Sequence, residues 1–270
     1  MRDINILVSV DKNYIFPLKV MMRSLVMNTK GNMIFYLLHS SIEKEYLDDL
    51  HRYCDQCNVQ LYPIQVDKNL FENAPITKRY PQEMYYRLLS PHILPQHLNK
   101  ILYLDPDILI INSVMPLWET DLEDNVFAAA SHTGITDLVN GINRVRLGTD
   151  HDYFNSGIIL MNLAKARELI IADDIFQYIE EHEKQLLLPD QDVFNALYGN
   201  KTLAIDDVLW NYDVRNYYNY YLRSAGKHDL DWVMENTSIL HFCGKSKPWK
   251  SAYKYRFSAL YKHYMNIVTR

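Results

Sequence analysis

Ile101-Leu102-Tyr103-Leu104-Asp105-Pro106-Asp107 is a short apolar run that ends on two carboxylates. Consecutive apolar residues of this kind fit a strand covered on both faces, as in a parallel sheet. Residues two apart on extended backbone point the same way, so Asp105 and Asp107 project together from the strand's end. Adjacent carboxylates repel each other unless a cation lies between them. Hard ions such as Mn²⁺ and Mg²⁺ take oxygen ligands and keep positions for phosphate oxygens. Pro106 fixes φ and removes a donor, which stiffens the turn. An Asp-x-Asp standing alone is more often a strand-end turn with two solvated acids.

Working outward, the first half of the chain alternates strands with helices. Ile4–Val10 reads as a strand buried on both faces, Met33–Leu38 as a second strand and Val59–Val66 as a third. A helix is expected to start at Pro17, with Leu18, Met21, Met22, Leu25 and Val26 at helical spacing, and to stop at Gly31. Glu43–Cys54 and a segment around 80–93 read as further helices. This alternation predicts an α/β, Rossmann-like fold with a mostly parallel central sheet flanked by helices. Ligands in such sheets bind outside the carboxyl ends of the strands, where Asp11 and Asp105 fall. Further on, Val126–Ala130, Gly157–Asn162 and Ser238–Phe242 read as strands. Leu163–Glu181, Gln191–Tyr198 and 251–268 read as helices, and a soft boundary falls near 210. The expected organisation is a catalytic domain over 1–250 and a C-terminal helix over 251–270, packed on that domain or facing a membrane.

The bulk composition narrows the function. The chain has 270 residues, 48% hydrophobic and 23% charged, the profile of a globular protein. Its formal net charge of −5 argues against nucleic acid as a partner. Three cysteines make no disulfide framework, which points to a reducing, cytoplasmic compartment. The start carries no apolar signal region, and no apolar run is long enough to span a membrane. Cys54-Asp55-Gln56-Cys57 has redox spacing without the flanking residues of a thioredoxin-type site, so it reads as incidental. Tyrosine stands out at 21 residues. Rings with polar tips suit half-buried surfaces, or stacking on sugars or at a membrane interface.

His241-Phe242-Cys243-Gly244-Lys245-Ser246-Lys247-Pro248-Trp249 is the second chemical signal. A histidine ends an apolar strand and can complete a site already holding two carboxylates. Gly244 allows close backbone approach to phosphate, and Lys247 supplies compact positive charge. With these segments in order, the chain resembles glycosyltransferase family 8, the retaining group of bacterial lipopolysaccharide galactosyl- and glucosyltransferases and glycogenin. Val8-Ser9-Val10-Asp11-Lys12-Asn13-Tyr14 looks like the family's nucleoside-binding start, and Tyr85-Tyr86-Arg87-Leu88 like its arginine helix. Asp105-Pro106-Asp107, followed by Pro116-Leu117-Trp118, resembles its Asp-x-Asp region. Tyr153-Phe154-Asn155-Ser156-Gly157, Pro189-Asp190-Gln191-Asp192 and the His241–Trp249 segment complete the set.

The resemblance implies a role for each position. Asp11 and Asn13 would meet the uridine. Asp105, Asp107 and His241 would bind Mn²⁺, with Mg²⁺ as the alternative ion. Gly244 and Lys247 would hold the diphosphate. Arg87, Asn155, Asp190 and Gln191 would surround the transferred sugar, with Gln191 and Asp190 closest to the chemistry. The implied reaction moves glucose or galactose from a UDP-sugar to a glycan or glycolipid hydroxyl with retention. Gln191 would stabilise a cation-like sugar, with Asp190 as a transient nucleophile the other route. By its own residues, Asp190 also reads as the N-cap of the helix at Gln191. Ser131 and His132 stand where some members carry an acid facing the acceptor, and the basic aromatic tail of some relatives is short here. A membrane contact through the C-terminal helix is therefore a weaker expectation. The rival readings are a haloacid-dehalogenase-like phosphohydrolase, which also uses Asp-x-Asp after a strand, and a sugar-nucleotide binder without catalysis.

Overall fold

The computed structural model describes residues 2–67, 71, 74, 75, 82–131 and 137–270. His132 and the first residues of the helix expected around 80–93 lie outside the described residues. The chain begins with β1 (Asp3–Ser9), α1 (Ile15–Asn28), β2 (Asn32–His39), α2 (Lys44–Gln56), β3 (Gln60–Gln65), α3 (Gln82–Ile93) and β4 (Lys100–Leu104). This is the alternation the apolar periodicity predicts. Pro17 sits in the first turn of α1, not at its start, where the missing N–H costs no helical bond. After β4 come β5 (Ile108–Ile110), α4 (Met115–Trp118), β6 (Phe127–Ser131), α5 (Asp137–Leu147) and β7 (Phe154–Asn162).

The helix expected over Leu163–Glu181 is two helices, α6 (Leu163–Leu169) and α7 (Ala172–His182). Ile170 and Ile171 between them are extended, a conformation that suits β-branched residues. The Ile170 carbonyl bonds the His92 ring at 2.8 Å instead of a helical N–H. The chain continues through α8 (Pro189–Tyr198), β8 (Thr202–Ile205), α9 (Asp207–Trp210), β9 (Tyr212–Asp213), α10 (Tyr217–Arg223), α11 (Leu230–Asn236), β10 (Ile239–His241) and α12 (Ser258–Val268). The closing helix thus starts at Ser258, not at 251. Phe257 before it holds a left-handed φ of 69° while its ring packs edge-on against Tyr212 at 6.0 Å.

Seven strands form the main sheet in the order β3-β2-β1-β4-β7-β6-β8. β1 runs parallel to β2 and β4, with Leu7 opposite Tyr103. β7 runs antiparallel to both β4 and β6. That reversal has a chemical consequence. The beginning of β7, Asn155 to Gly157, lies beside the carboxyl end of β4, and the Asp105 N–H donates to the Gly157 carbonyl at 2.8 Å. A smaller sheet, β5-β10-β9, pairs His241 with Ile108 on one side and Asp213 on the other.

Side chains alternate across the main sheet between two cores. Leu7, Tyr103 and Ile159 face α3 and α8, packing on Tyr85, Tyr86 and Phe194. Ile6, Leu102 and Leu104 face the other way, onto Leu18, Met21, Leu25 and Leu50. A third cluster joins Leu109, Tyr212 and Leu240 of the small sheet, and Phe242 just after it, to Val20 and Tyr261. Both carboxylates of Asp105-Pro106-Asp107 therefore leave a strand fixed by packing on each side. Cys54 and Cys57 are buried, and burial pushes the Cys54 thiol up to about 12, which leaves it unreactive.

Candidate active site

Asp105 emerges from β4 with one carboxylate oxygen already held. Its Oδ1 accepts from Tyr103 Oη at 2.7 Å and from Arg87 Nη2 at 2.5 Å. Oδ2 remains, 4.0 Å from His241 Nε2. Asp107 divides in the same way. Its Oδ2 pairs with Lys247 Nζ, and its Oδ1 lies 3.4 Å from His241 Nε2. Ligand atoms of Asp105, Asp107 and His241 all fall within 4.8 Å of one another.

The orientation of His241 is set from behind. Its Nδ1 lies 2.7 Å from Asn211 Oδ1. Asn211 Nδ2 in turn donates to Asn155 Oδ1 at 2.9 Å, and the same oxygen accepts from the Gly157 N–H at 2.9 Å. A backbone N–H donates only to an oxygen here, so the network fixes each amide. It puts a proton on Nδ1 and aims Nε2 at the carboxylates, the arrangement found behind metal-binding histidines. Burial raises Asp105, with Arg87 opposing. Burial would also raise Asp107, but His241 and Lys247 overcome it and hold that carboxyl well below the usual range. Burial disfavours a charged His241, yet Cys243 and Asp107 hold its pKa well above the ordinary value. The negative charge that favours a proton on His241 Nε2 also favours a divalent ion in that place. Gly157 leaves the space for one: a Cβ there would stand 2.5 Å from His241 Cε1 and 2.8 Å from Asp105 Oδ2.

A cleft of about 520 Å³ opens over these residues. Arg87, Asn155, Asp190, Gln191 and Gly244 all line it. Arg87 is nearly buried, and its terminal nitrogens are engaged by protein. Nη1 donates to Asp190 Oδ2 and Ser156 Oγ, both at 2.6 Å, while Nη2 holds Tyr103 and Asp105. It ties the strand end to the start of α8. Gln191 Oε1 accepts from Asn155 Nδ2 at 3.2 Å. Asp190 is not the N-cap of α8. The helix begins at Pro189, so Leu188 takes the cap position and Asp190 falls in the first turn, free to meet Arg87. Gly244 holds φ at +88°, and a Cβ there would meet Arg215 Nη1 at 2.8 Å. Asp11 and Asn13 sit past the end of β1, outside the residues lining this cleft. There the Asp11 carboxylate caps a short turn through the Asn13 N–H at 2.8 Å.

Sequence reading missed Asn211, Tyr103, Ser156 and Arg215. Tyr103 and Ser156 lie inside the quoted motifs, beside Asp105 and Asn155, but nothing in their own residue type marks them there; Asn211 and Arg215 lie in no motif and come from the segment between α9 and α10. It also missed the role of Asp192, which is fully buried. Its carboxylate accepts from both terminal nitrogens of Arg146, from Tyr153 Oη at 2.5 Å, and from the Leu187 and Leu188 N–H groups. Burial works against the charge, but these donors prevail and lower the pKa from 3.8. Replacing Asp192 with alanine should cost about 3–5 kcal/mol, because a half-buried Arg146 loses the carboxylate it pairs with at 2.6 Å. The sign of the pH effect follows. A depressed folded pKa gives stability that is present above the ordinary carboxylate value and lost as pH falls through the folded one. Urea melts at neutral and acid pH check both points: the gap between wild type and variant should narrow on acidification.

A family model described as glycosyl transferase family 8 matches residues 5–252. The chain belongs to that family. Family 8 membership removes the phosphohydrolase reading and makes the protein a glycosyltransferase. General stress protein A of Bacillus subtilis (strain 168) is 28% identical over 265 residues, 95% of this chain and 91% of its own. A lipopolysaccharide 1,2-glucosyltransferase of Escherichia coli is 23% identical over 273 residues, 97% of this chain and 78% of its own. The fold matches the crystal structure of the galactosyltransferase LgtC with donor and acceptor sugar analogs, at a TM-score of 0.82 and 24% identity, covering 99% and 97% of the two chains. Among the described residues no helix is long and apolar enough to cross a membrane.

Proposed function

We propose that the protein transfers a hexose, glucose or galactose, from a UDP-sugar to a glycan or glycolipid hydroxyl, with retention and with Mn²⁺ bound by Asp105, Asp107 and His241. The observation that carries this reading is the convergence of Asp105 Oδ2, Asp107 Oδ1 and His241 Nε2 in the wall of the cleft, with every other donor and acceptor on those side chains already occupied. Two carboxylate oxygens and an imidazole suit Mn²⁺, with Mg²⁺ the alternative. When bound, the ion supplies charge to offset that building on the leaving diphosphate. Lys247, anchored by Asp107 and by the Phe242 carbonyl at 3.2 Å, adds a second positive charge there, and Gly244 gives backbone access. Asp11 and Asn13 meet the nucleoside at the end of β1. Residues 1–250 carry the reaction, and the C-terminal helix closes the third core. The likeness to a lipopolysaccharide glucosyltransferase and to a galactosyltransferase supports a hexose donor and a glycan acceptor.

The cleft favours a same-face route over a covalent one. Asp190 Oδ2 is held by Arg87, which weakens it as a nucleophile. Gln191 is pinned beside Asn155 and offers an uncharged dipole to a cation-like sugar. Its replacement by alanine should lower kcat by roughly 30-fold with donor KM little changed, since the interaction strengthens only in the transition state. An unchanged kcat would remove Gln191 from the chemistry. The whole reading is tested by hydrolysis of UDP-glucose and UDP-galactose with Mn²⁺, with Mg²⁺, and after chelation. UDP release that depends on the ion supports it. UDP binding without release, with any acceptor, would make the protein a binder without catalysis.

A further inference from the structure

Beside the catalytic cleft, α10 carries aromatic rings that the proposed chemistry does not use. Tyr218 is 68% exposed and Tyr221 38%. Both are held by the buried Tyr217, which lies edge-on to Tyr218 at 5.4 Å and nearly parallel to Tyr221 at 6.3 Å. The Arg256 guanidinium sits 4.0 Å from the centre of the Tyr217 ring, and its Nη2 donates to Tyr218 Oη at 3.3 Å. With Leu230 and Asp231 from the start of α11, these residues wall a groove of about 390 Å³. The rings are oriented before any ligand arrives, so little conformational freedom is lost on binding.

The shape and charge of the groove select its ligand. Flat apolar faces rimmed by hydroxyls, two carboxylates and a guanidinium match the apolar faces and hydroxyl rims of hexoses. Its charged lining consists of Asp229 and Asp231 against Arg256, one more negative than positive. Such a lining disfavours anionic lipid surfaces, which recruit clusters of Lys and Arg. The groove lies near the cleft: Arg215 lines the cleft and Tyr217, two residues further on, lines the groove, so their Cα atoms lie within about 7.6 Å of each other.

We propose that this groove is a second glycan subsite, holding neutral hexose units of the acceptor beyond the unit that receives the transferred sugar. It rests on the glycan-acceptor reading above. The test titrates the full chain with neutral gluco- and galacto-oligosaccharides, from monosaccharide to hexasaccharide, in wild type, Tyr218→Ala and Asp231→Asn. Asp229 is left intact because its carboxylate caps α11 through the Trp232 N–H at 2.8 Å. Wild type should bind longer oligosaccharides more tightly than the monosaccharide. Tyr218→Ala should weaken the long ligand about tenfold, the loss of an aromatic anchor, and leave UDP-sugar hydrolysis unchanged. Oligosaccharides bound no more tightly than the monosaccharide, or equally by the variants, would overturn the proposal. So would Tyr218-dependent binding to vesicles of phosphatidylcholine and phosphatidylglycerol, which would make this a membrane face. If wild type binds oligosaccharide through Tyr218 but never hydrolyses UDP-sugar, the reaction reading fails and the groove stands.

Discussion

Asp105→Asn is expected to lower metal-dependent UDP-sugar hydrolysis by on the order of 10³-fold while the protein keeps its fold. The two carboxylate oxygens of Asp105 do different work. Oδ1 is enclosed by Tyr103 Oη and Arg87 Nη2, a position that an amide carbonyl fills equally well. The amide nitrogen is then directed to the Oδ2 side, toward His241 Nε2, where a donor has nothing to offer a cation. Asp190 continues to pair with Arg87, so no buried guanidinium is left alone. Asp105→Ala should be as inactive but less stable, because Tyr103 and Arg87 both lose an acceptor. Thermal melts, Mn²⁺ titration by calorimetry and hydrolysis rates separate these effects. Reduced ion affinity with a native melt is the expected pattern for the asparagine. Wild-type hydrolysis by either variant would remove the metal reading altogether.

The split in Asp105 shows what the sequence carries and what it does not. Strand, turn and the shared direction of two carboxylates are local properties, and Ile101–Asp107 states them in seven residues. The parallel half of the sheet is legible for the same reason, since β2 and β4 bury unbroken apolar runs and β1 does so apart from Asn5, while the edge strand β3 is only half-buried. The direction of β7 is not local. Its apolar run begins at Gly157, while Phe154-Asn155-Ser156 looks irregular until β4 and β6 pair with it from either side. Strands of three and two residues, such as β5 and β9, are too short for periodicity to mark, although Ser238–Phe242 already reads as the strand that becomes β10. Yet these place His241 beside Asp107. The supporting residues are the least legible: Asn211 reaches His241 across thirty positions and Asn155 across fifty-six. A lone asparagine after a one-turn helix carries no pattern. Asp192 is next to Gln191 in sequence, but its five donors come from three separate segments.

Gly157→Ala should be the most informative substitution that adds atoms without changing charge. Gly157 is not among the glycines with positive φ, so its backbone tolerates a side chain. The penalty comes from what a methyl would meet. His241 Cε1 at 2.5 Å, Asp105 Oδ2 at 2.8 Å and Asn155 Oδ1 at 3.0 Å all lie under the closest approach real side chains make, or at its edge. None of the three yields freely. His241 is 4% exposed and anchored by Asn211, Asp105 by Tyr103 and Arg87, and Asn155 by Gly157's own N–H. Relief therefore moves the ligand atoms apart, and a displacement near 1 Å at such a centre costs about 10²-fold or more in turnover. Overpacking should cost about 1–3 kcal/mol in stability, too little to unfold a domain of this size. Gly141→Ala is the control, since no atom lies within 4 Å of its added Cβ and alanine favours the α5 helix. Hydrolysis and Mn²⁺ affinity should fall together in Gly157→Ala and stay at wild-type values in Gly141→Ala. A Gly157→Ala protein with unaltered ion affinity would mean that the three ligand atoms do not share one ion, whatever else the cleft binds.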